Sequence, residues 1–386
     1  MSFGWRSIAT DGAARAGILS TRQGDVPTPT FMPVGTQASV KTLTPAEVAA
    51  TGARIILANT YHLWLRPGPE VIAGLGGLHA FTRWPHVILT DSGGYQAFSL
   101  ADRRSASDEG FVFRSHLDGS RHLLTPEEAM RVQGLLGSDI AMQLDVCPPA
   151  GASRADIERA VDRTTAWARR TLAARSSHDS GQAVFGIVQG GLHVDLRRRH
   201  AAELGELAFE GLALGGFSVG ESIDEMHAVL AEVAPALDPQ RPRYLMGVGT
   251  PRDLLLGIGA GIDMFDCVLP TRNARNGQAI TRDGRISIKQ ARYRDDAAPL
   301  DEGCGCPCCR AGYSRAYLRH LFLAREILVL RLLSEHNLWT YGELVRQARE
   351  AVVAGTFVSF ARSWQDRWVE GADGLSSISP ALLPQG

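Results

Sequence analysis

Eight short apolar runs constrain this chain more than any other feature, because each has a polar or glycine residue at or next to its end and enough sequence follows it to hold a helix. They span residues 31–36, 55–60, 87–91, 140–145, 184–189, 212–217, 244–248 and 262–266. Between them, Thr44-Pro45-Ala46-Glu47, Thr125-Pro126-Glu127-Glu128 and Thr250-Pro251-Arg252-Asp253 each set a capping hydroxyl before a proline and an acid, a helix-start signal. Strand and helix alternating eight times predicts an α/β chain folded as a (β/α)8 TIM-type barrel. A doubly wound open sheet also alternates, but eight candidate strands and no early GxGxxG turn make it the weaker choice.

The pattern changes after Asp266 to a turn-rich stretch and a cysteine cluster. A helical pattern follows at about 315–333, then a further amphipathic helix from 338 and a tail at 376–386 expected to fray. The predicted organisation is a catalytic barrel with N-terminal strands at 1–290, a zinc-binding subdomain at 291–340, and a C-terminal helical segment at 341–386 packing on the barrel. No apolar run reaches the roughly 20 residues that cross a bilayer, and the N-terminal residues lack the apolar centre of a secretory signal. A cytoplasmic protein with no membrane partner is expected.

In a barrel of this kind, reacting groups sit where strands end, on one face. Asn59, Asp91, Asp145, Gln189, Gly215-Gly216, Gly247 and Asp266 all stand at such ends. Cleaving a bond at the anomeric carbon of a sugar uses one carboxylate as nucleophile and a second group as acid and base, and Asp91, Asp145 and Asp266 would converge on one mouth. Any one of these aspartates alone is more simply a cap or loop acceptor; their joint placement favours chemistry. The adjacent glycines let backbone approach a flat ligand, and Tyr95 and Met246 can sandwich a base, although such residues near strand ends are more often core.

Four of the six cysteines fall in Cys304-Gly-Cys306-Pro-Cys308-Cys309. Cys304, Cys306 and Cys309 with His336 supply the three thiolates and imidazole of a closed tetrahedral zinc site, with no open position for substrate, so the metal is expected to be structural. Cys308 in place of Cys309, and His320 in place of His336, remain open on spacing alone. Net charge is −1, so contact with nucleic acid must rest on a local patch. Arg272, Arg275, Arg282, Arg285, Lys289, Arg292 and Arg294 lie against one acid, Asp283, between positions 272 and 294. Such runs are usually solvated faces, but one beside a sugar-cleaving carboxylate suits phosphates.

Taken in order, Asp91-Ser-Gly-Gly-Tyr-Gln, Phe185-Gly-Ile-Val-Gln-Gly, Tyr244-Leu-Met-Gly-Val-Gly, Phe265-Asp-Cys-Val-Leu-Pro-Thr-Arg and Arg275-Asn-Gly resemble the bacterial tRNA-guanine transglycosylases. The resemblance runs from about Gly17 to beyond His336. It implies exchange of guanine at the anticodon wobble position, in tRNAs with a GUN anticodon, for the aminomethyl-deazaguanine precursor of queuosine. In that scheme Asp266 attacks ribose C1′ and Asp91 is general acid and base. Asp145, Gln189 and the Gly216 main chain bind the base, Tyr95 and Met246 stack on it, and Cys304, Cys306, Cys309 and His336 hold one zinc ion. Cys147 and Val219 match the bacterial pattern beside the base substituent, with Phe217 narrowing that pocket when its ring faces inward. Arg272 and Arg275 would meet RNA, and a homodimer is implied. Val146, Phe217 and Ser218 depart from the common family pattern.

Other classes compete less well. A glycoside hydrolase needs neither a zinc subdomain nor a basic strip, and a non-catalytic tRNA-binding subunit would not keep Asp266 in its full motif. An archaeosine-type enzyme would carry a C-terminal RNA-binding extension, and a queuine-using one a glycine at position 219.

Overall fold

The computed structural model describes residues 3–99, 105–149, 151–176 and 181–370. The tail at 376–386, together with the rest of the last predicted segment beyond 370, lies outside them. Strands β1 (Gly4–Asp11), β2 (Ala14–Thr21) and β3 (Gly24–Thr28) form an antiparallel sheet ahead of the barrel. The barrel consists of β4 (Thr30–Gly35), β5 (Ile55–Ala58) and β6 (Val87–Thr90). An antiparallel insert of β7 (Ser105–Ala106), β8 (Phe111–Arg114) and β9 (Arg121–Leu124) interrupts it. It resumes with β10 (Ile140–Met142), β11 (Ala183–Val188), β12 (Gly211–Leu214), β13 (Arg243–Leu245) and β14 (Met264–Cys267), and β14 pairs back onto β4. All eight barrel strands run parallel, closing the ring that the eight apolar runs predict.

Period-two alternation decides what fills the ring. Met32, Val34, Ile55, Leu57, Val87, Leu89, Ile140, Met142, Phe185, Ile187, Ala213, Tyr244 and Met264 pack into one interior cluster, with Leu19 and Val26 of the N-terminal sheet at its base. Alternate strand residues facing the outer helices join the larger core, among them Ile56, Ile88, Ala141, Val184, Leu212 and Phe265. Thr44, Thr125 and Thr250 each accept a hydrogen bond from the backbone three residues on, and Glu47 and Asp253 close reciprocal capping boxes.

Past the barrel, the hairpin β15 (Gln278–Thr281) and β16 (Gly284–Ser287) leads to short helix Pro307–Arg310, helix Arg315–Leu323 and the long helix Ile327–Val353. The leucine periodicity reads as one helix over 315–333, but the chain breaks it. Arg325 adopts φ +59 and Glu326 N–H donates to Leu321 O, the six-to-one bond of a helix C-terminus. The second helix then continues through 338 without interruption, so one element carries His336 and also Tyr341, Leu344 and Val345 of the barrel's outer core. Helix Phe357–Glu370 follows it. Among the described residues no helix is long and apolar enough to cross a membrane.

Candidate active site and metal centre

The inward alternation inside the barrel carries over to its mouth. Two residues beyond Leu57, Leu89, Ile187 and Met264 come Asn59, Asp91, Gln189 and Asp266, so a polar layer caps the apolar one. Asp145 arrives differently, on irregular chain after β10.

Asp266 is buried, and both of its donors bind one oxygen: Tyr244 Oη–H at 2.6 Å and Gly247 N–H at 2.7 Å reach Oδ1. Among the described residues Oδ2 takes no hydrogen bond. Burial raises the Asp266 carboxyl above its ordinary value, opposed by these two bonds, and pushes the Tyr244 hydroxyl well up as well, so Tyr244 remains a donor.

Asp91 accepts from Thr60 N–H at 2.8 Å on Oδ1, and from Asn59 Nδ2 at 2.5 Å and Gln96 Nε2 at 3.1 Å on Oδ2. Burial still pushes its carboxyl up to about 6, with Asp266 adding like-charge repulsion. Asp145 is held at 2.6 Å by Gln189 Nε2 and is likewise pushed up to about 6, first by burial and further by Asp91. Three acids distant in sequence therefore feel one another's charge at one mouth, and two of them exchange protons near neutrality.

Gln189 Oε1 is buried and accepts no hydrogen bond among the described residues, while Gln189 N–H donates to His200 Nδ1 at 2.8 Å. Gly216 sits beside it at φ +67, where a Cβ would stand 2.3 Å from Gln189 Oε1. The absence of a side chain at Gly216 is what allows this close approach of the loop to Gln189. Tyr95 is 54% exposed on short helix Gly94–Ser99, leaving its ring free, and half-buried Met246 packs against the barrel interior. Cys147 is half-buried, its thiol pushed up to about 12 by burial, and Val219 donates its N–H to Glu221 at 3.0 Å. The Phe217 ring is buried against the Arg197 guanidinium, 3.8 Å from its centroid. Val146 is core, packed with Leu144, Phe111 and Trp167, which accounts for an apolar residue there.

Arg272 and Arg275 lie one turn apart on helix Leu269–Arg275, directly after β14, with Arg272 exposed and Arg275 half-buried. The rest of the basic strip divides. Arg282 pairs with Asp301, and Lys289 and Arg292 rest over Phe322 and Tyr293.

Cys304, Cys306, Cys309 and His336 come together, their ligand atoms all within 4.8 Å of one another. His336 Nδ1 lies 3.7, 3.3 and 3.5 Å from the three sulfurs in that order. Its Nε2 stands 3.0 Å from Ile280 O, which places the proton there and leaves Nδ1 for a metal. Cys306 also caps helix Pro307–Arg310, its sulfur accepting from Cys309 N–H. Neither Cys308 nor His320 belongs to the group, so the structure decides both alternatives that spacing left open. Next to His336, Asn337 accepts from Ile280 N–H and donates to Gln278 O and to Pro270 O, tying the hairpin to the helix that follows Asp266.

Sequence reading missed Tyr244, Thr60, Arg197 and His200 as supports. Tyr244 carried a signal, since it is a hydroxyl at an inward strand position one residue before the strand end. Arg197 and His200 carried none, lying in a helix rich in arginine.

A parallel eight-stranded barrel with buried acids at its mouth and a Cys3His cluster beside it defines a barrel enzyme carrying a metal-binding subdomain. The chain belongs to the queuine tRNA-ribosyltransferase family, whose family model matches residues 10–370. A queuine tRNA-ribosyltransferase of Sorangium cellulosum (strain So ce56) is 69% identical over 362 residues, 94% of this chain and 91% of that protein. One from Solidesulfovibrio magneticus is 54% identical over 94% of this chain and 96% of its own length. One from Nitratidesulfovibrio vulgaris is 54% identical over 92% and 95%. The chain is accordingly a pentosyltransferase of the tRNA-guanine transglycosylase kind.

Proposed function

We propose that the enzyme replaces guanine at the wobble position of tRNAs with a GUN anticodon by the aminomethyl-deazaguanine precursor of queuosine, through an ester between Asp266 and the ribose. The observation that carries this is the division of labour on Asp266: Tyr244 and Gly247 occupy Oδ1, leaving Oδ2 for C1′. Oδ2 forms a bond to C1′ as the bond from C1′ to the guanine ring nitrogen breaks, and the departing base takes its electron pair and a proton from Asp91. The incoming base returns a proton to Asp91, its ring nitrogen attacks C1′, and the ester bond breaks. Two inversions give retention. A carboxyl near 6 suits a group that must give and then accept a proton close to neutral pH.

In this reading Asp145, Gln189 and Gly216 hydrogen-bond the base edge, Tyr95 and Met246 stack on its faces, and Cys147 and Val219 size the pocket for the aminomethyl group. Arg272 and Arg275 meet phosphates flanking the nucleotide. Cys304, Cys306, Cys309 and His336 would hold one structural zinc ion, which when bound supplies a fixed cross-link between the cysteine loop and the long helix. The active form is a cytoplasmic homodimer. Exchange of labelled guanine into purified tRNA tests the reaction. The wild type should exchange and leave an enzyme-tRNA adduct on a denaturing gel, and Asp266→Asn should do neither while staying folded. Normal exchange by that variant would end the covalent mechanism.

A further inference from the structure

Helix Val194–Gly205 buries a full arginine behind the mouth. Arg197 has no exposed surface, and among the described residues no carboxylate pairs with it. Its guanidinium instead donates to three carbonyls: Nε to Gly191 O at 2.6 Å, Nη2 to Gly216 O at 3.3 Å and Nη1 to Val188 O at 3.4 Å. Its face lies on the Phe217 ring at 3.8 Å. The backbone crowds its stem, for a Cβ at Gly190 would stand 2.6 Å from Arg197 Cγ. Burial lowers the group to about 9, so it remains a cation at neutral pH.

A buried cation with no carboxylate in direct contact, Glu221 acting on it only at longer range, is costly, and an apolar side chain would satisfy a merely structural helix contact more cheaply. The carbonyls it reaches lie at the end of β11 and in the turn after it that carries Gln189, and in the turn after β12 that carries Gly216. His200, one turn along the same helix, accepts Gln189 N–H. The planar fork can span carbonyls from both loops at once, which a lysine ammonium at the end of a flexible stem does not reproduce. Because a peptide is planar, fixing the Gly216 carbonyl also fixes the N–H of Phe217 on its opposite edge.

We propose that Arg197 is a positioning residue for base exchange, a sealed guanidinium that locks the Gln189 turn to the Gly216 turn so that their polar groups meet the purine edge in one fixed geometry. This rests on the reading that Gln189 and Gly216 hold the base. Arg197 touches neither ribose nor base, so its loss should act on base affinity through the two loops and leave tRNA phosphate contacts intact.

The test compares wild type, Arg197→Lys and Arg197→Ala in guanine exchange, with KM for free guanine and Kd for tRNA measured separately and folding followed by circular dichroism. Wild-type exchange of guanine secures the reaction first; its absence would remove the proposed function itself and is read before any variant. Arg197→Lys keeps the stem and the charge and should fold, yet its KM for guanine should rise about tenfold or more while tRNA Kd stays within about twofold. Arg197→Ala should lose more, and millimolar guanidinium chloride should recover part of the lost base affinity, which a general packing defect would not allow. A wild-type guanine KM in Arg197→Lys would overturn the proposal, as would parallel losses of base and tRNA affinity. Should Arg197→Ala not fold, the lysine variant alone decides.

Discussion

The mouth of the barrel and the cysteine subdomain are both polar clusters, yet they are held in opposite ways. At the mouth, Asp91, Asp145 and Asp266 come from the ends of three strands and the chain just beyond them, far apart in sequence, and burial holds every one of them above its ordinary carboxyl range. Nothing local keeps them together; the closed ring does, against their mutual repulsion. In the subdomain, three thiols fall within six residues and one histidine completes the set, so a single ion can bind them by local geometry. Strain is stored where chemistry is expected, and cross-linking is placed where the fold is thin.

The harshest way to break that contrast is to remove the metal. Cys306→Ala should release zinc and unfold the cysteine loop, because structural zinc can contribute on the order of 10 kcal/mol to a small module. Melting should split into a lost subdomain transition and a preserved barrel transition, and tRNA binding should fall. Cys308→Ala should keep the metal, since Cys308 lies outside the ligand group. Metal analysis decides: undiminished zinc in Cys306→Ala would remove it from the ligand set.

The opposite intervention relaxes the mouth. Asp145 has its folded carboxyl raised to about 6. The protonated form is therefore favoured by folding, and the stability it contributes is present below about pH 4 and lost as pH rises through about 6. Asp145→Asn fixes the neutral state and keeps an oxygen for Gln189 Nε2. It should be more stable than wild type by on the order of 3 kcal/mol at pH 8, with no gain at pH 4, while base exchange collapses. Denaturant melts at both pH values check it; equal stability at pH 8 would mean the acid is not strained.

This difference also explains what was legible in the sequence. The barrel was readable because each strand repeats one local signal, and Asp91 and Asp266 because strand ends converge in such a fold. The cysteine group was readable from spacing, but spacing could not separate Cys309 from Cys308, since that choice depends on which sulfur turns toward His336 around a four-residue helix. The helix break at Arg325 was hidden because leucine periodicity runs straight through it. From sequence Phe217 narrows the base pocket when its ring faces inward; the ring is taken by Arg197, a contact between a loop and a helix that no local pattern encodes. Tyr244 was hidden differently, as one inward strand residue among many until its partner Asp266 is seen.

A smaller effect probes the shape of the mouth. Val219 is half-buried, with Glu221 holding its N–H, and in the proposed reading its side chain is one wall of the base pocket. Val219→Gly should raise the relative use of queuine over the aminomethyl base about tenfold, the scale of a few methyl groups in a pocket. Competition of both bases against labelled guanine reads it. Queuine preference in the wild type would instead favour the queuine-using alternative.

The smallest effect tests whether the two regions act as one surface. Arg272 and Arg275 stand on the helix that leaves the mouth, and Asn337, the neighbour of His336, holds that helix by Pro270 O. One guanidinium nitrogen of Arg275 is buried without a partner among the described residues, and burial together with Arg272 lowers its affinity for protons, so an arriving phosphate would relieve both. Replacing either arginine with alanine should weaken tRNA binding about threefold and reduce the slope of log affinity against log salt by about 0.7, the value for one phosphate contact on single-stranded nucleic acid. Free guanine affinity should not move. Asn337→Ala should produce a similar salt-slope loss without touching a cation, because it frees the helix that aims both arginines. An unchanged slope in Asn337→Ala alongside reduced slopes in the arginine variants would show that the mouth keeps its own RNA contacts, independent of the metal subdomain.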